Sequence, residues 1–317
     1  MAPRLGTVAR ADHSLPDVAL TRRTLDRRAD RRGDPTLLTG LLADPATRVF
    51  RLCGDATAVE EGEGHVVRVV LGAPVPADAD HLVVYLGEHG GAQHLGVVED
   101  VPADAEPRPG LRTLRQVGAR LDDLGASLFA TTLALANWHR AHGHCPRCGA
   151  PTVPVLAGWV RRCPADGSEH YPRTDVAVIM AVVDDADRLL LARGRGFRSA
   201  GMSVLAGFVE PGETLAAAVA REVHEEVGLE VDDVTYLGDQ PWPFPSSLMV
   251  GFTARARGTE LRLQEDEIAA ARWFTREELL AAVADGSLVI SGRVSIARRL
   301  VEHWFGGPIE APEVPLR

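Results

Sequence analysis

No apolar stretch in this sequence is long enough to cross a bilayer. The longest clean run is Val176–Val183, whereas a spanning helix needs about 20 residues. The opening residues, MAPRLGTVARADHSLPD, lack the apolar core of a secretory signal. A cytoplasmic protein with no membrane partner is the expectation. An excess of positive charge is also missing. The formal net charge is −10, which argues against a protein whose whole surface grips nucleic acid or anionic lipid. An acidic enzyme can still hold a polyphosphate if metal ions supply the compensating charge. Cysteine is scarce: Cys53, Cys145, Cys148 and Cys163 complete the set. In a reducing compartment the clustering of the last three points to metal more than to disulfides. No internal repeat and no long low-complexity tract is visible.

What remains is ordinary globular composition, and 317 residues allow two or three domains. From about Arg48 to Val98 the pattern is strand-like, with RVFRL, HVVRVVL and HLVVYLG broken by Gly and Pro loops. Asp100–Gly110 reads as a surface linker. A helix is expected over Leu128–Gly143, leading into HCPRCG. After a short cysteine-bearing insert, VAVIMAVV and RLLLAR suggest a hairpin and MSVLAGFVE a further strand. Strands near VTYLG and LMVGFTARA and two late helices close the chain. The basic run Thr21–Arg32 reads as a solvated helix face paired with acidic neighbours. The alternative is a small patch for RNA or another polyanion.

The informative segment is GFVEPGETLAAAVAREVHEEVGL, Gly207–Leu229. On a helix over Thr214–Val227, Leu215, Val219, Val223 and Val227 form a buried stripe, and Gly228 caps the end. Glu222, Glu225 and Glu226 crowd one arc beside it. Like charges at that spacing destabilise a helix, and partly buried carboxylates cost more unless compensated. Hard divalent ions such as Mg²⁺ or Mn²⁺ are the simplest compensation. An exposed glutamate-rich helix is the plain alternative. The glycines of the preceding loop, which let backbone and metal-bound phosphate approach closely, weigh against it.

Gly207, Gly212, Glu213, Arg221, Glu222, Glu225, Glu226, Gly228 and Leu229 together resemble the complete Nudix box. The resemblance implies a hydrolase that splits a diphosphate joined to another group, on an α/β/α sandwich with a mixed sheet. It implies that Glu222 and Glu226 ligate the catalytic metal and that Glu225 is a ligand or orients the attacking water. It also implies that Arg221 holds Glu213, and that the Ala206 carbonyl and Glu267 are further ligands. Neighbouring Glu265 and Asp266 leave the last register open.

DQPWPFPSS, Asp239–Ser247, alternates prolines with Trp242 and Phe244. Proline fixes the backbone, so ordering these rings costs little entropy. They suit a flat base or nicotinamide, or else a structural turn with core aromatics. The stretch resembles the signature of NADH pyrophosphatases, a Nudix subgroup, with Asp239 in place of the usual first serine. That resemblance implies NADH, NAD⁺ and NAD-capped RNA as substrates, and a homodimer. It implies a nucleotide pocket lined by Gln240, Pro241, Trp242, Pro243, Phe244, Pro245, Ser246, Ser247, Tyr171 and Ala297, with Phe208 stacking on a ring. A glutamate that the subgroup often carries before the third zinc cysteine is Gly158 here.

Cys145, Cys148 and Cys163 have the spacing of three zinc-ribbon ligands. Asp166 stands where a fourth cysteine is expected, with His170 nearby as the other candidate. A ribbon that folds without metal is the alternative to structural zinc. Cys53 reads as a core thiol, and His139, His142 and His144 as capping or solvating the preceding helix. The chain is thus expected to comprise an N-terminal α/β domain with its linking helix at 1–140, a zinc ribbon at 141–172 and a Nudix domain at 173–317. Rival readings are a Nudix hydrolase of ADP-ribose or another nucleotide sugar, and a non-catalytic RNA-binding ribbon protein.

Overall fold

The computed structural model describes residues 15, 18–21, 24–101, 108–313 and 316. Most of the expected linker Asp100–Gly110, and Arg22 and Arg23 of the basic run, lie outside the described residues. The chain divides into two compact units. The N-terminal unit holds Ala19–Asp175 and Pro241–Leu248. The C-terminal unit holds Val176–Gln240 and Met249–Arg317, with Leu15 and Val18. Among the described residues no helix is long and apolar enough to cross a membrane.

The N-terminal unit is built on a seven-stranded sheet. Its strands are β1 (Arg48–Cys53), β2 (Ala56–Glu61), β3 (Val67–Val69), β4 (Leu71–Gly72), β5 (Leu82–His89), β6 (Ala92–Glu99) and β7 (Leu111–Thr113). The order is β3-β2-β1-β6-β5, with β4 on β1 and β7 on β2. β1 runs parallel to β6 and the other pairs are antiparallel, so the sheet is mixed. The helices are α1 (Leu37–Ala43), α2 (Leu114–Val117) and α3 (Asp123–Ala141). Asp122 caps α3 by accepting the Gly125 N–H at 2.7 Å. Leu128, Phe129, Leu133 and Ala136 of α3 are buried with Phe50 and Leu52 of β1, and the Phe50 and Phe129 rings lie 5.4 Å apart. Gly96 permits this close approach, because a Cβ there would meet Thr132 Oγ1 at 2.7 Å. A small antiparallel sheet follows, from β8 (Val153–Val155), β9 (Val160–Arg162) and β10 (Glu169–His170).

The basic run departs from the expected helix face. Residues 24–32 contain only a short 3₁₀ turn, Ala29–Arg31, and a bridge from Asp26 to Glu88. Arg28 lies in the left-handed region at φ 39°, which interrupts a helix, and its guanidinium pairs with Asp30 and Glu88.

The C-terminal unit has a six-stranded sheet of order β14-β15-β11-β12-β16, with β13 on β11. The strands are β11 (Asp175–Val183), β12 (Leu189–Gly194), β13 (Leu205–Phe208), β14 (Glu230–Trp242), β15 (Ser247–Arg257) and β16 (Ile268–Phe274). The expected hairpin is present, with Val183 opposite Leu189. The helices are α4 (Leu215–Val227), α5 (Arg276–Ala284) and α6 (Ile296–Phe305). Thr214 caps α4 by accepting the Ala217 N–H, and Gly228 ends it in the left-handed region at φ 72°. Ala218, Val219, Val223 and Val227 are buried, but Leu215 is exposed. A helical side chain leans over the turn before it. For Leu215 that turn is the exposed loop Pro211–Thr214, so the stripe starts one turn later than the pattern suggested. Ile296, Leu300, Val301 and Trp304 of α6 join Leu191, Phe274 and Leu279 in one apolar core.

Candidate active site

The strand β13 runs directly into the loop before α4, and the two elements meet through Gly207. A Cβ added there would sit 1.8 Å from the carboxyl carbon of Glu222. Only glycine leaves room for the carboxylate against the strand. Arg221, one residue before Glu222, organises the remaining acids. Its Nε and Nη2 donate to the two carboxylate oxygens of Glu213, both at 2.9 Å. Its Nη1 donates to Glu222 at 2.9 Å and to Glu225 at 3.0 Å, and Nη2 reaches the Phe208 carbonyl at 2.8 Å. These charge-assisted bonds hold the Glu213 carboxyl below the usual range, with the Arg221 bond its largest cause.

Glu226 is different. It is 7% exposed, and its Oε2 is buried without a hydrogen-bond partner. Burial first, then the charges of Glu222, Glu267 and Glu225, push its carboxyl up to about 8. Burial likewise raises Glu222, against the opposing bond from Arg221. Glu267 is exposed on a loop whose backbone is tied to the end of α4. The Gln264 N–H donates to the Glu226 carbonyl at 3.0 Å, and the Arg262 N–H donates to the Val227 carbonyl at 2.9 Å. The charge of Glu267 acts on both Glu222 and Glu226. Ala206 lies on β13 opposite Ile179, and Phe208 is exposed beside it. The donors are all oxygens, the chemistry that hard divalent ions select. A divalent ion would satisfy the unpartnered Glu226 oxygen; among the described residues these acids are not drawn into a ready ligand cluster as the ribbon's side chains are.

The boundary between the two units falls inside the proline–aromatic segment, after Gln240. Gln240 is fully buried in the C-terminal unit, and its Nε2 donates to the Val294 carbonyl at 2.7 Å. Ala297 is likewise a core residue of α6. Neither presents an exposed surface to a ligand here. In the N-terminal unit Trp242 and Phe244 meet edge to face, with ring centres 4.8 Å apart. Asn137 donates to the carbonyls of Pro243 and Pro245 at 3.0 and 3.1 Å, and the Ser246 hydroxyl donates to Asp175 at 2.8 Å. Ser247 begins β15, and Tyr171 is exposed with its hydroxyl on Glu169. The sequence pattern missed Arg115. Its guanidinium lies 3.8 Å from the centre of the Phe244 ring and 5.1 Å from that of Trp242. A lone arginine on a four-residue helix gives no local signal of that contact.

In the ribbon, ligand atoms of Cys145, Cys148, Cys163 and Asp166 all lie within 4.8 Å of one another. His170 is not among them; its Nε2 meets the Ser168 hydroxyl at 3.1 Å. Ser168 also donates through its backbone N–H to Asp166 Oδ1 at 2.9 Å, and its bonds lower the Asp166 carboxyl further than any other cause. Three thiols and a carboxylate so gathered can hold zinc. Two expectations fail nearby. Cys53 is half-buried, with its thiol on Glu99, because β1 ends there. His139 does not solvate a helix end. It is 6% exposed, with Nε2 at 2.8 Å from the Gly158 carbonyl and Nδ1 at 2.8 Å from Arg161.

Residues 173–290 match the family described as NUDIX domain, and residues 140–171 match the NADH pyrophosphatase zinc ribbon domain. A protein of Mycobacterium bovis named NAD-capped RNA hydrolase NudC is 43% identical over 261 residues, covering 75% of this chain and 80% of its own. The chain belongs to the Nudix family. Its relatives include human NAD-capped RNA hydrolase NUDT12, 40% identical over 198 residues, with 59% of this chain and 43% of that one covered. A crystal structure of a Nudix hydrolase from Nitrosomonas europaea aligns with a TM-score of 0.39 at 20% identity, over 52% of this chain and 94% of that one. The fold of this Nudix protein is mixed α/β, with the zinc ribbon preceding the Nudix domain.

Proposed function

We propose that this Nudix protein hydrolyses the diphosphate of NADH, NAD⁺ and NAD-capped RNA, giving NMNH or NMN together with AMP or 5′-monophosphate RNA. The observation that carries the reading is Glu226, a buried carboxylate with an unpartnered oxygen beside Glu222 and within the field of Glu267. Glu222, Glu225, Glu226, Glu267 and the Ala206 carbonyl would hold Mg²⁺ or Mn²⁺. Such an ion, when bound, polarises a phosphate oxygen and makes water a better nucleophile. The protein's own part is positional. Gly207 opens the space for Glu222, and Arg221 keeps Glu213, Glu222 and Glu225 in one fixed array. Glu225, half-exposed at the end of that array, ligates metal or orients the attacking water.

The substrate class rests on the names of the relatives, on the matching ribbon and on the proline–aromatic segment. Trp242 and Phe244, stiffened by three prolines and by Asn137, would recognise a ring of the dinucleotide. Tyr171, Phe208, Ser246 and Ser247 are proposed as further substrate contacts; Gln240 and Ala297 would support the pocket from within. One structural zinc on Cys145, Cys148, Cys163 and Asp166 completes the proposal. So do the division at 1–140, 141–172 and 173–317, a homodimer and a cytoplasmic location.

The test is to incubate the protein with NADH, NAD⁺, NAD-capped RNA and ADP-ribose, with Mg²⁺ or Mn²⁺, and to identify the products by mass. Cleavage between the two phosphates of the first three substrates is expected. Glu226→Gln keeps the side-chain shape and removes the charge, and should cost on the order of 10²–10³ in kcat. Preferred cleavage of ADP-ribose would replace this reading with a nucleotide-sugar hydrolase.

A further inference from the structure

Glu267 stands one residue before β16, outside the regular strand. Its side chain is exposed, and its charge raises the carboxyls of Glu222 and Glu226. Like charges push such a group away from its neighbours. Its nearness to the acids of α4 is therefore imposed by the backbone that carries it. That backbone is a tight turn. The Gln264 carbonyl accepts the Glu267 N–H at 3.1 Å and the Ile268 N–H at 2.9 Å. On one side the turn is tied to the end of α4, through Gln264 to the Glu226 carbonyl.

On the other side it is held by one residue of the loop after β12. The Arg195 N–H donates to the Glu267 carbonyl at 2.9 Å, and the Arg195 Nε donates to the Glu265 carbonyl. Main chain and side chain of a single arginine thus take both ends of the segment 265–267. Arg195 is exposed, and among the described residues its guanidinium has no carboxylate partner, although Glu265, Asp266 and Glu267 are all close in the chain. The pairing of the two strands is irregular at this point. Arg193 lies opposite Ala270 but Gly194 opposite Ile268, so β16 carries one extra residue at Ala269. Such a bulge bends its strand and re-aims the side chains beside it. The loop that carries Arg195 is itself closed, by Phe197 N–H on the Gly194 carbonyl at 2.9 Å and by Arg193 Nη1 on the Ser199 carbonyl at 2.8 Å.

We propose that Arg195 is a positioning residue for Glu267, latching the turn 265–267 to the end of β12 so that the Glu267 carboxylate is presented to the acids of α4 before an ion is bound. The proposal rests on the reading above in taking Glu267 as a ligand of the catalytic metal. Arg195 acts through backbone carbonyls and touches neither the ion nor the substrate. Holding the turn in advance removes part of the ordering cost of binding. The sign of the effect separates this role from a plain charge effect. A cation near a metal site repels the ion, so its removal tightens binding if charge alone matters. Removal of a latch weakens it.

The experiment measures Mn²⁺ affinity of the full-length protein without substrate, from the electron paramagnetic resonance of free Mn²⁺. The proteins are the parent, Arg195→Ala, Arg195→Gln, Glu267→Gln and the double variant Arg195→Ala, Glu267→Gln. Groups that orient metal ligands typically carry 10–100-fold in affinity, so Arg195→Ala should weaken Mn²⁺ by about tenfold. Glu267→Gln should weaken it at least as much. The double variant should be no weaker than Glu267→Gln alone, because both changes act through one carboxylate. Arg195→Gln keeps a donor for the Glu265 carbonyl without the charge and should recover most of the loss. In turnover of NADH, Arg195→Ala should raise the Mn²⁺ concentration at half-maximal rate, with kcat at saturating Mn²⁺ returning toward the parent's. Unchanged or tighter Mn²⁺ binding in Arg195→Ala overturns the proposal, as do losses that add in the double variant, the result expected of general damage to the fold. A loss in Glu267→Gln without one in Arg195→Ala overturns the latch and leaves the reading of the site standing. Parental affinity in Glu267→Gln removes Glu267 from the ligand set and overturns both. If the parent cleaves no dinucleotide, the proposed reaction falls, while the Mn²⁺ titrations still decide the role of Arg195.

Discussion

Arg221 grips Glu213 with two nitrogens, each 2.9 Å from a different carboxylate oxygen. The same guanidinium reaches Glu222, Glu225 and the Phe208 carbonyl. Five bonds from one planar group link the loop after β13 to the acidic face of α4. A lysine offers a point charge and no fork. Arg221→Lys should therefore retain the fold but lower kcat/KM by roughly ten- to a hundredfold, because the carboxylates lose their common orientation. Steady-state kinetics beside a thermal melt checks this. A variant with parental kinetics would show that Arg221 neutralises the acids without positioning them.

The ribbon makes a separate prediction. Cys145, Cys148, Cys163 and Asp166 bring three thiols and one carboxylate together, so about one zinc per chain should copurify. Cys148→Ser should lose it and melt at lower temperature, because metal binding contributes directly to folding. Elemental analysis with a thermal melt decides the matter. Asp166→Ala should weaken zinc retention and His170→Ala should not, since His170 bonds Ser168 instead.

His139 supplies a pH dependence. Burial is the main cause that lowers its pKa from 6.5 to about 4. Its neutral ring donates from Nε2 to the Gly158 carbonyl and accepts from Arg161 at Nδ1. A proton on Nδ1 would face the Arg161 guanidinium. A histidine depressed in the folded state stabilises above its unfolded pKa. That contribution is lost as pH falls from about 6.5 through about 4, and amounts to up to about 3 kcal/mol. Denaturant melts across this window should therefore show stability falling with acid. His139→Gln keeps a donor and an acceptor without titrating, and should flatten that part of the curve.

Much of the catalytic face was legible because its determinants are local. The apolar period of α4, its Thr214 and Gly228 caps and the glutamate spacing all lie within one short segment. Gly207, on β13, belongs to the same short segment as the Glu222 carboxylate that needs its missing side chain. The missing information was long-range. Arg115 reaches Phe244 from a helix far earlier in the sequence, and no periodicity encodes that contact. His139 looked like a helix-end residue until β9 placed Arg161 against it. Among the described residues of the basic run, Arg28 takes a left-handed backbone conformation and pairs with Glu88 of β5 as well as with Asp30, neither of which its charge pattern encodes. Gln240 donates its Nε2 to the Val294 carbonyl while its Oε1 is buried without a partner, a contact set that the motif alone does not encode.

Substrate choice gives the last prediction. Trp242 meets Phe244 edge to face, and Arg115 covers part of the same pair. If Trp242 holds the nicotinamide ring, its loss removes a stacking contact worth about 1–3 kcal/mol, or roughly ten- to a hundredfold in affinity. Trp242→Ala should lower kcat/KM for NADH by that factor. ADP-ribose, which carries no nicotinamide, should be affected much less. Equal losses on both substrates would move Trp242 to the adenine or to a supporting role. A thermal melt separates these two, since only the supporting role lowers the transition. Parental kinetics on both would remove the aromatic pair from substrate recognition, leaving Arg115 and Phe244 as packing within the N-terminal unit.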